Sequence, residues 1–197
     1  MILNLGEVST KQIAELFKRG LIGIFPTDTV YGIGCLPRIE TLNRFYQIKK
    51  RANDKPTAVL VGSLKQIKTL AVIDERADKI IKKFWPGDLT LVLQAKARLD
   101  PRIVYNGFIG VRFPSNRFLQ EVLEKTGPLV VSSANFQHLE PPYTFREIEK
   151  GIIGLVDFVL RSDSERLKVP STVVKIEEEQ ITLLRQGRIS KDDLDQI

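Results

Sequence analysis

An α/β or α+β fold built on one large mixed β-sheet flanked by helices is predicted from three observations. Helical and strand-like hydrophobic periods interleave from end to end of the 197 residues. Three strand-like runs, over residues 158–160, 172–176 and 181–184, crowd together near the C-terminus, which favours a mixed sheet over an all-parallel one. There is no internal repeat, low-complexity tract or Pro/Gly/Ser-rich linker, so residues 1–197 read as a single domain. A chain of this length buries about two-thirds of its unfolded surface in one core.

Taken in order, residues 21–25 form a short apolar run closed by Pro26, the pattern of a buried strand feeding the loop Pro26-Thr27-Asp28-Thr29-Val30-Tyr31-Gly32. A helix is expected next: Ile39, Leu42, Phe45 and Tyr46 recur on one helical face, and the helix runs out into a basic segment over residues 49–55, ahead of Pro56. Residues 58–61 read as the following strand. Ala77, Ile80, Ile81 and Phe84 mark a second amphipathic helix, stopped by Pro86-Gly87. Residues 89–93 and 109–113 are further strands. Phe118, Leu119, Val122 and Leu123 share a helix face that ends near Gly127, and residues 129–132 return as a strand.

Composition removes several chemistries. The sole cysteine is Cys35 and the sole histidine His138, which excludes a disulfide, a Cys/His zinc cluster and a Cys-His nucleophilic pair. No apolar run approaches the roughly 18 residues of a membrane span, and Glu7 precedes any basic residue, so a soluble cytoplasmic protein without a secretory signal is expected. The excess of 30 Lys+Arg over 24 Asp+Glu favours anionic partners such as nucleotides or RNA, although surface lysines alone produce such a balance.

Several clusters could carry chemistry. Thr27 and Thr29 flank Asp28 in a loop where Gly32 and Gly34 permit tight turns; such a loop can grip a polar ligand, or simply satisfy its own turn amides. Between Arg44 and Lys55 stand five cations (Arg44, Lys49, Lys50, Arg51 and Lys55) against one anion, Asp54. Lys49-x-Arg51 offers a point charge and a bidentate fork to a triphosphate; a solvated helix end is the alternative. Ser132-Ser133-Ala134-Asn135 follows an apolar strand and is expected to emerge at a sheet edge, where hydroxyls and an amide can meet phosphate oxygens. Arg112 at another strand end can pair with a carboxylate or form an exposed ion pair, and Ser171-Thr172 and Arg185-Gln186-Gly187 add hydroxyls and a guanidinium. His138 reads as a surface-loop residue and Trp85 as packing. The common phosphate-loop, dinucleotide and kinase signatures are missing, so ATP use would need another architecture.

Seven segments in order, Pro26-Thr27-Asp28-Thr29-Val30-Tyr31-Gly32, Lys49-x-Arg51 with Lys55-Pro56, Trp85-Pro86-Gly87, Val111-Arg112-Phe113-Pro114, Ser132-Ser133-Ala134-Asn135, Pro170-Ser171-Thr172-Val173 and Leu184-Arg185-Gln186-Gly187, resemble the YrdC-type threonylcarbamoyl-AMP synthase family over nearly the whole chain. The resemblance implies a sheet with a deep basic concave cavity. It also implies a nucleotidyltransferase reaction in which L-threonine, bicarbonate and ATP, with magnesium on the ATP and no tightly bound cofactor, give threonylcarbamoyl-adenylate and pyrophosphate. It further implies hand-over to a transferase complex that modifies tRNA, with weak tRNA binding at most. By residue, it assigns Lys49 and Arg51 to catalysis, Thr29, Arg112 and Ser171 to threonine, and Arg51, Lys55, Ser133, Asn135 and Arg185 to ATP.

Two departures stand out: Leu60 where many members carry His, and Phe136-Gln137-His138-Leu139 where they continue Ser-Gly. Competing readings are a non-catalytic RNA-binding module and a carbamoyl-adenylating domain of the hydrogenase-maturation type. Replacing Arg51 or Arg112 by alanine is expected to abolish most turnover and to leave the fold intact.

Overall fold

Alternation along single strands decides this architecture. In the run Leu89-Thr90-Leu91-Val92-Leu93, the leucines enter one apolar cluster while Thr90 and Val92 point to the opposite face. The structure is a computed structural model that describes residues 1–96, 99–162, 169–178 and 180–196. Its strands are β1 (Ile2–Asn4), β2 (Gly23–Pro26), β3 (Tyr31–Cys35), β4 (Val59–Leu60), β5 (Leu89–Gln94), β6 (Val104–Tyr105), β7 (Phe108–Arg112), β8 (Leu129–Ser133), β9 (Phe158–Arg161), β10 (Thr172–Glu177) and β11 (Gln180–Arg185). Its helices are α1 (Thr10–Lys18), α2 (Ile39–Lys49), α3 (Leu64–Leu70), α4 (Glu75–Phe84), α5 (Arg117–Thr126), α6 (Lys150–Ile153) and α7 (Lys191–Asp195).

Among the described residues all strands join one sheet in the order β1-β9-β2-β3-β8-β4-β7-β5-β10-β11, with β6 paired to β7. Parallel pairs (β1 with β9, β2 with β9, β4 with β7, β5 with β10) mix with antiparallel ones, as the clustered C-terminal strands predict. One face buries Leu42, Phe45 and Tyr46 of α2, Ile67 of α3 and Ala77, Ile80 and Ile81 of α4. The other buries Ile13 and Phe17 of α1 and Leu119, Val122 and Leu123 of α5 against Phe25, Leu60, Val131 and Phe158. Phe17 meets Phe25 and Phe158 edge-on, at 5.7 and 5.2 Å between ring centres.

The helix expected directly after the Pro26–Gly32 loop is preceded by a strand, β3, which forms a hairpin with β2. Glycine concealed it: Tyr31, Ile33 and Cys35 enter the core, while a Cβ on Gly32 or Gly34 would lie 2.9 Å from Val131. Ile39 is 62% exposed, so the buried stripe of α2 starts at Leu42. The Ser132–Asn135 segment does not emerge at a sheet edge, because β8 lies between β3 and β4 in the interior of the sheet. β1, α1, α3, β6, α6 and α7 go beyond the sequence expectations. For α1 a signal existed, since Ser9 and Gln12 close a capping box ahead of Ile13 and Phe17.

Candidate active site

The face that carries α1 and α5 is only half covered. Beyond those helices its side chains are Ala58 and Leu60 on or beside β4, Gly110 and Arg112 on β7, Thr90 and Val92 on β5, and Val173 and Lys175 on β10. They line a cavity of about 600 Å³, and none of the described lining residues belongs to a helix. The floor is low because it is built from small residues: a Cβ at Gly110 would sit 3.6 Å from Ala58 Cβ and 3.8 Å from Thr90.

Arg112 stands at one end of this floor, and its side chain is buried. Nη1 donates to Thr29 Oγ1 at 2.8 Å and Nε to the Gly87 carbonyl at 3.0 Å. Nη2 lies 2.7 Å from Asp28 Oδ1 and 3.3 Å from Asp88 Oδ1; the Asp28 contact is an ion pair out of line with the N–H, so that oxygen accepts no hydrogen bond. Asp28 is held from behind by the Ser115 amide and hydroxyl at 2.7 and 2.8 Å. Burial pushes the Asp88 carboxyl above its ordinary value, against the opposing pull of Arg112. A guanidinium fixed on three sides can present its planar fork to an anion with little reorganisation.

The Trp85-Pro86-Gly87 segment supplies the acceptor that aims this arginine. Trp85 Nε1 donates to Leu89 O at 2.7 Å, and a Cβ on Gly87 would lie 2.4 Å from Phe84 O. Packing is indeed the role of Trp85.

A second group continues from Arg112 along the wall. Ser171 Oγ is 2.9 Å from Thr90 Oγ1, and Arg185 donates to Ser171 O at 2.9 and 3.1 Å and to its hydroxyl at 3.0 Å. Burial, followed by the charge of Arg112, lowers the Arg185 pKa. Gly187 permits the return of the chain: a Cβ there would lie 2.4 Å from both Pro170 O and Thr172 N.

The basic segment divides. Lys50 adopts left-handed backbone at φ 48° and turns Arg51 onto the cavity wall, where Nε donates to Lys55 O at 3.0 Å and Nη2 to Pro56 O at 2.8 Å. Tyr46 Oη anchors the same segment: its O–H is within donating distance of Lys55 O and Arg102 O, at 2.9 and 2.6 Å, and it lies 2.8 Å from Thr57 Oγ1, where either hydroxyl can donate. Lys55 is exposed and off the wall, with Nζ 2.7 Å from the Gln137 amide oxygen once that amide is oriented to suit its neighbours. Lys49 and Asn135 are buried behind the wall: Lys49 Nζ donates to Ser133 O at 2.6 Å and to Asn135 O, while Asn135 Nδ2 donates to Leu139 O. Desolvation lowers the Lys49 pKa to about 8, with Arg51 adding to the shift.

The structure therefore brings Thr29, Arg51, Arg112, Ser133, Ser171 and Arg185 to one cavity, and leaves Lys49, Lys55 and Asn135 off its surface. Arg112 is not an exposed ion pair, and its removal would leave buried Asp28 with only the Ser115 donors and Asp88 with only the exposed Arg188 at 3.5 Å, so an alanine there costs stability as well as any ligand contact. Sequence reasoning missed Asp88, Thr90, Lys175 and the Tyr105-Asn106 tip. The tip had a signal in Asn106-Gly107, whose φ values of 49° and 81° make the tight turn between β6 and β7. Tyr105 and Phe108 are cross-strand partners on the wall, and Lys175 Nζ sits 3.9 Å from the Phe108 ring centre. Among the described residues no group of three Cys, His, Asp or Glu side chains is placed to hold a metal, and no helix is long and apolar enough to cross a membrane.

The family model for Sua5, YciO and YrdC, described under telomere recombination, matches residues 15–187. The chain belongs to the Sua5/YciO/YrdC family. A Methanocaldococcus jannaschii protein that carries threonylcarbamoyl-AMP synthase as a provisional name is 36% identical over 193 residues, which cover 95% of this chain and 92% of that protein. The threonylcarbamoyl-AMP synthase of Pyrococcus abyssi is 30% identical over 93% of this chain, and the match spans only 55% of its own length. The crystal structure of P. abyssi Sua5 complexed with L-threonine superposes with a TM-score of 0.91 at 27% identity, over all of this chain and 60% of that one.

Proposed function

We propose that this Sua5/YciO/YrdC-family chain is an L-threonylcarbamoyladenylate synthase, which makes threonylcarbamoyl-AMP and pyrophosphate from L-threonine, bicarbonate and ATP. The product would serve a transferase complex that modifies tRNA to threonylcarbamoyladenosine in the cytoplasm, with weak direct tRNA binding at most. One observation carries the reading: a single cavity is lined both by the fixed Arg112 fork, with Thr29 and Ser171, and by Arg51 and Ser133. The first set suits an amino acid carboxylate and hydroxyl; the second suits phosphate oxygens.

In this reading Arg112 orients threonine, and Arg51 and Arg185 stabilise charge that moves onto pyrophosphate as the carbamate attacks the α-phosphorus. Most of the acceleration comes from holding three reactants together, since no side-chain nucleophile is required. Lys55, exposed beside Arg51, adds to the field that draws ATP, and the Tyr105–Phe108 tip offers a nucleobase an aromatic wall. Asp28 is engaged by Arg112 and Ser115 and Asp88 by Arg112 and Arg188, so magnesium would be held through the ATP phosphates, where it neutralises charge.

Pyrophosphate release from ATP and magnesium, with threonine and bicarbonate omitted in turn, tests the proposal. Release that needs both co-substrates and prefers threonine to serine is expected. Release driven by carbamoyl phosphate would point to the carbamoyl-adenylating reading, and salt-sensitive RNA binding without turnover to the RNA-binding one.

A further inference from the structure

Two charged residues, Asp88 and Arg188, each stand one position past a segment that carries the family resemblance, Trp85-Pro86-Gly87 and Leu184-Arg185-Gln186-Gly187. Neither lines the cavity, yet they meet beside Arg112. The Asp88 side chain is 10% exposed and turns its two oxygens to two arginines: Oδ1 lies 3.3 Å from Arg112 Nη2, and Oδ2 lies 3.5 Å from Arg188 Nη1. Asp28 Oδ1 approaches the same Arg112 Nη2 more closely, at 2.7 Å.

A pair whose arginine is 63% exposed is ordinarily of little consequence, because two mobile side chains must be ordered to form it. Here the backbone under both ends is fixed by one buried residue. The Thr172 amide donates to Asp88 O at 3.0 Å, and Thr172 Oγ1 accepts from the Gly187 and Ile189 amides at 3.0 Å each while donating to Ile189 O at 2.8 Å. Arg188 is therefore pinned on both sides, and Thr172, itself fully buried, follows directly on Ser171 of the cavity wall.

We infer that Arg188 is a positioning residue for amino-acid binding: it draws Asp88 by Oδ2, keeps that carboxylate from closing on Arg112, and so leaves the Arg112 fork open to the substrate carboxylate. The inference rests on the threonine reading above. The competition is electrostatic. Arg112 already faces two carboxylates, and a third, the ligand's, must share the same guanidinium. Burial pushes the Asp88 carboxyl up; Arg112 opposes this, Asp28 reinforces it, and Arg188 is the second cation that opposes it. Without Arg188 the whole charge of an ionised Asp88 falls on Arg112, where burial limits screening by water.

The test is equilibrium titration of L-threonine, and separately of an unreactive ATP analogue with magnesium, at low salt. The proteins are wild type, Arg188→Ala, Arg188→Lys, Asp88→Asn and the double variant Asp88→Asn/Arg188→Ala. Arg188→Ala is expected to weaken threonine about three- to fivefold, with the ATP analogue within about twofold of wild type and the Tm unchanged. Arg188→Lys should recover most of the loss. In the Asp88→Asn background, which keeps an acceptor and removes the charge, Arg188→Ala should change threonine affinity by less than about 1.5-fold. Unchanged threonine affinity in Arg188→Ala overturns the inference, and so does an equal loss in the Asp88→Asn background. A larger loss for the polyanionic ATP analogue than for threonine also overturns it, since Arg188 would then act as a long-range attractor. Should Asp88→Asn not fold, the two ligands compared in Arg188→Ala decide. No threonine binding to wild type would instead remove the reading on which the inference stands, and the inference with it.

Discussion

The two halves of the sheet face beneath α1 and α5 share one strand geometry and end differently. Over β9, β2 and β8 the positions that point to this face are largely apolar (Phe158, Leu160, Phe25, Leu129, Val131), and Ile13, Phe17, Leu119, Val122 and Leu123 fill the space above them. Over β7, β5 and β10 the equivalent positions are Gly110, Arg112, Thr90, Val92, Val173 and Lys175, and among the described residues no helix supplies a lining residue. The covered half gains about 1.5–3 kcal/mol for each large apolar side chain fully buried. The open half forgoes that gain and holds buried charge instead, which is where a stability optimum and a functional site part company.

Substitutions at four positions sharpen this contrast. Arg112→Ala removes the cation between Asp28 and Asp88 and should cost about 3–5 kcal/mol in denaturant unfolding; Arg112→Lys should recover much of that stability without restoring threonine-dependent turnover. A folded, fully active Arg112→Ala would show that the open half needs no fixed fork. Leu123→Ala on the covered half should lose about 2–5 kcal/mol and keep kcat/KM wherever it remains folded. Arg51→Ala should leave the free energy of unfolding within about 0.5 kcal/mol of wild type and lower kcat/KM about a hundredfold, since the residue is only half-buried and touches carbonyls of its own loop. Tyr105→Ala is the mildest: the side chain is 54% exposed, so stability should hold while the KM for ATP rises about fivefold.

How much of this could be read from the sequence follows the same division. The covered half announced itself by period, because Phe118, Leu119, Val122 and Leu123 repeat at helical spacing and residues 129–132 are plainly apolar. In the open half the motifs pointed to the right residues but not to their surroundings. Arg112 looked like an exposed strand end because its partners Asp28 and Asp88 lie 84 and 24 residues away, a proximity only the sheet order creates. Lys49 looked like a phosphate ligand because nothing local says that α2 ends against the β8 loop. Thr90 and Lys175 were hidden inside apolar strands, where a polar residue at an alternate position was the available clue.

In the proposed function, one cavity would hold the amino acid through Arg112 and the nucleotide through Arg51. Equilibrium titration of L-threonine and, separately, of an unreactive ATP analogue into wild type, Arg112→Lys and Arg51→Ala tests it most directly. Arg112→Lys is expected to lose threonine and keep the nucleotide, and Arg51→Ala to do the reverse. Unchanged binding of both ligands in both variants, or loss of both together in each folded variant, would contradict the division of the cavity described here.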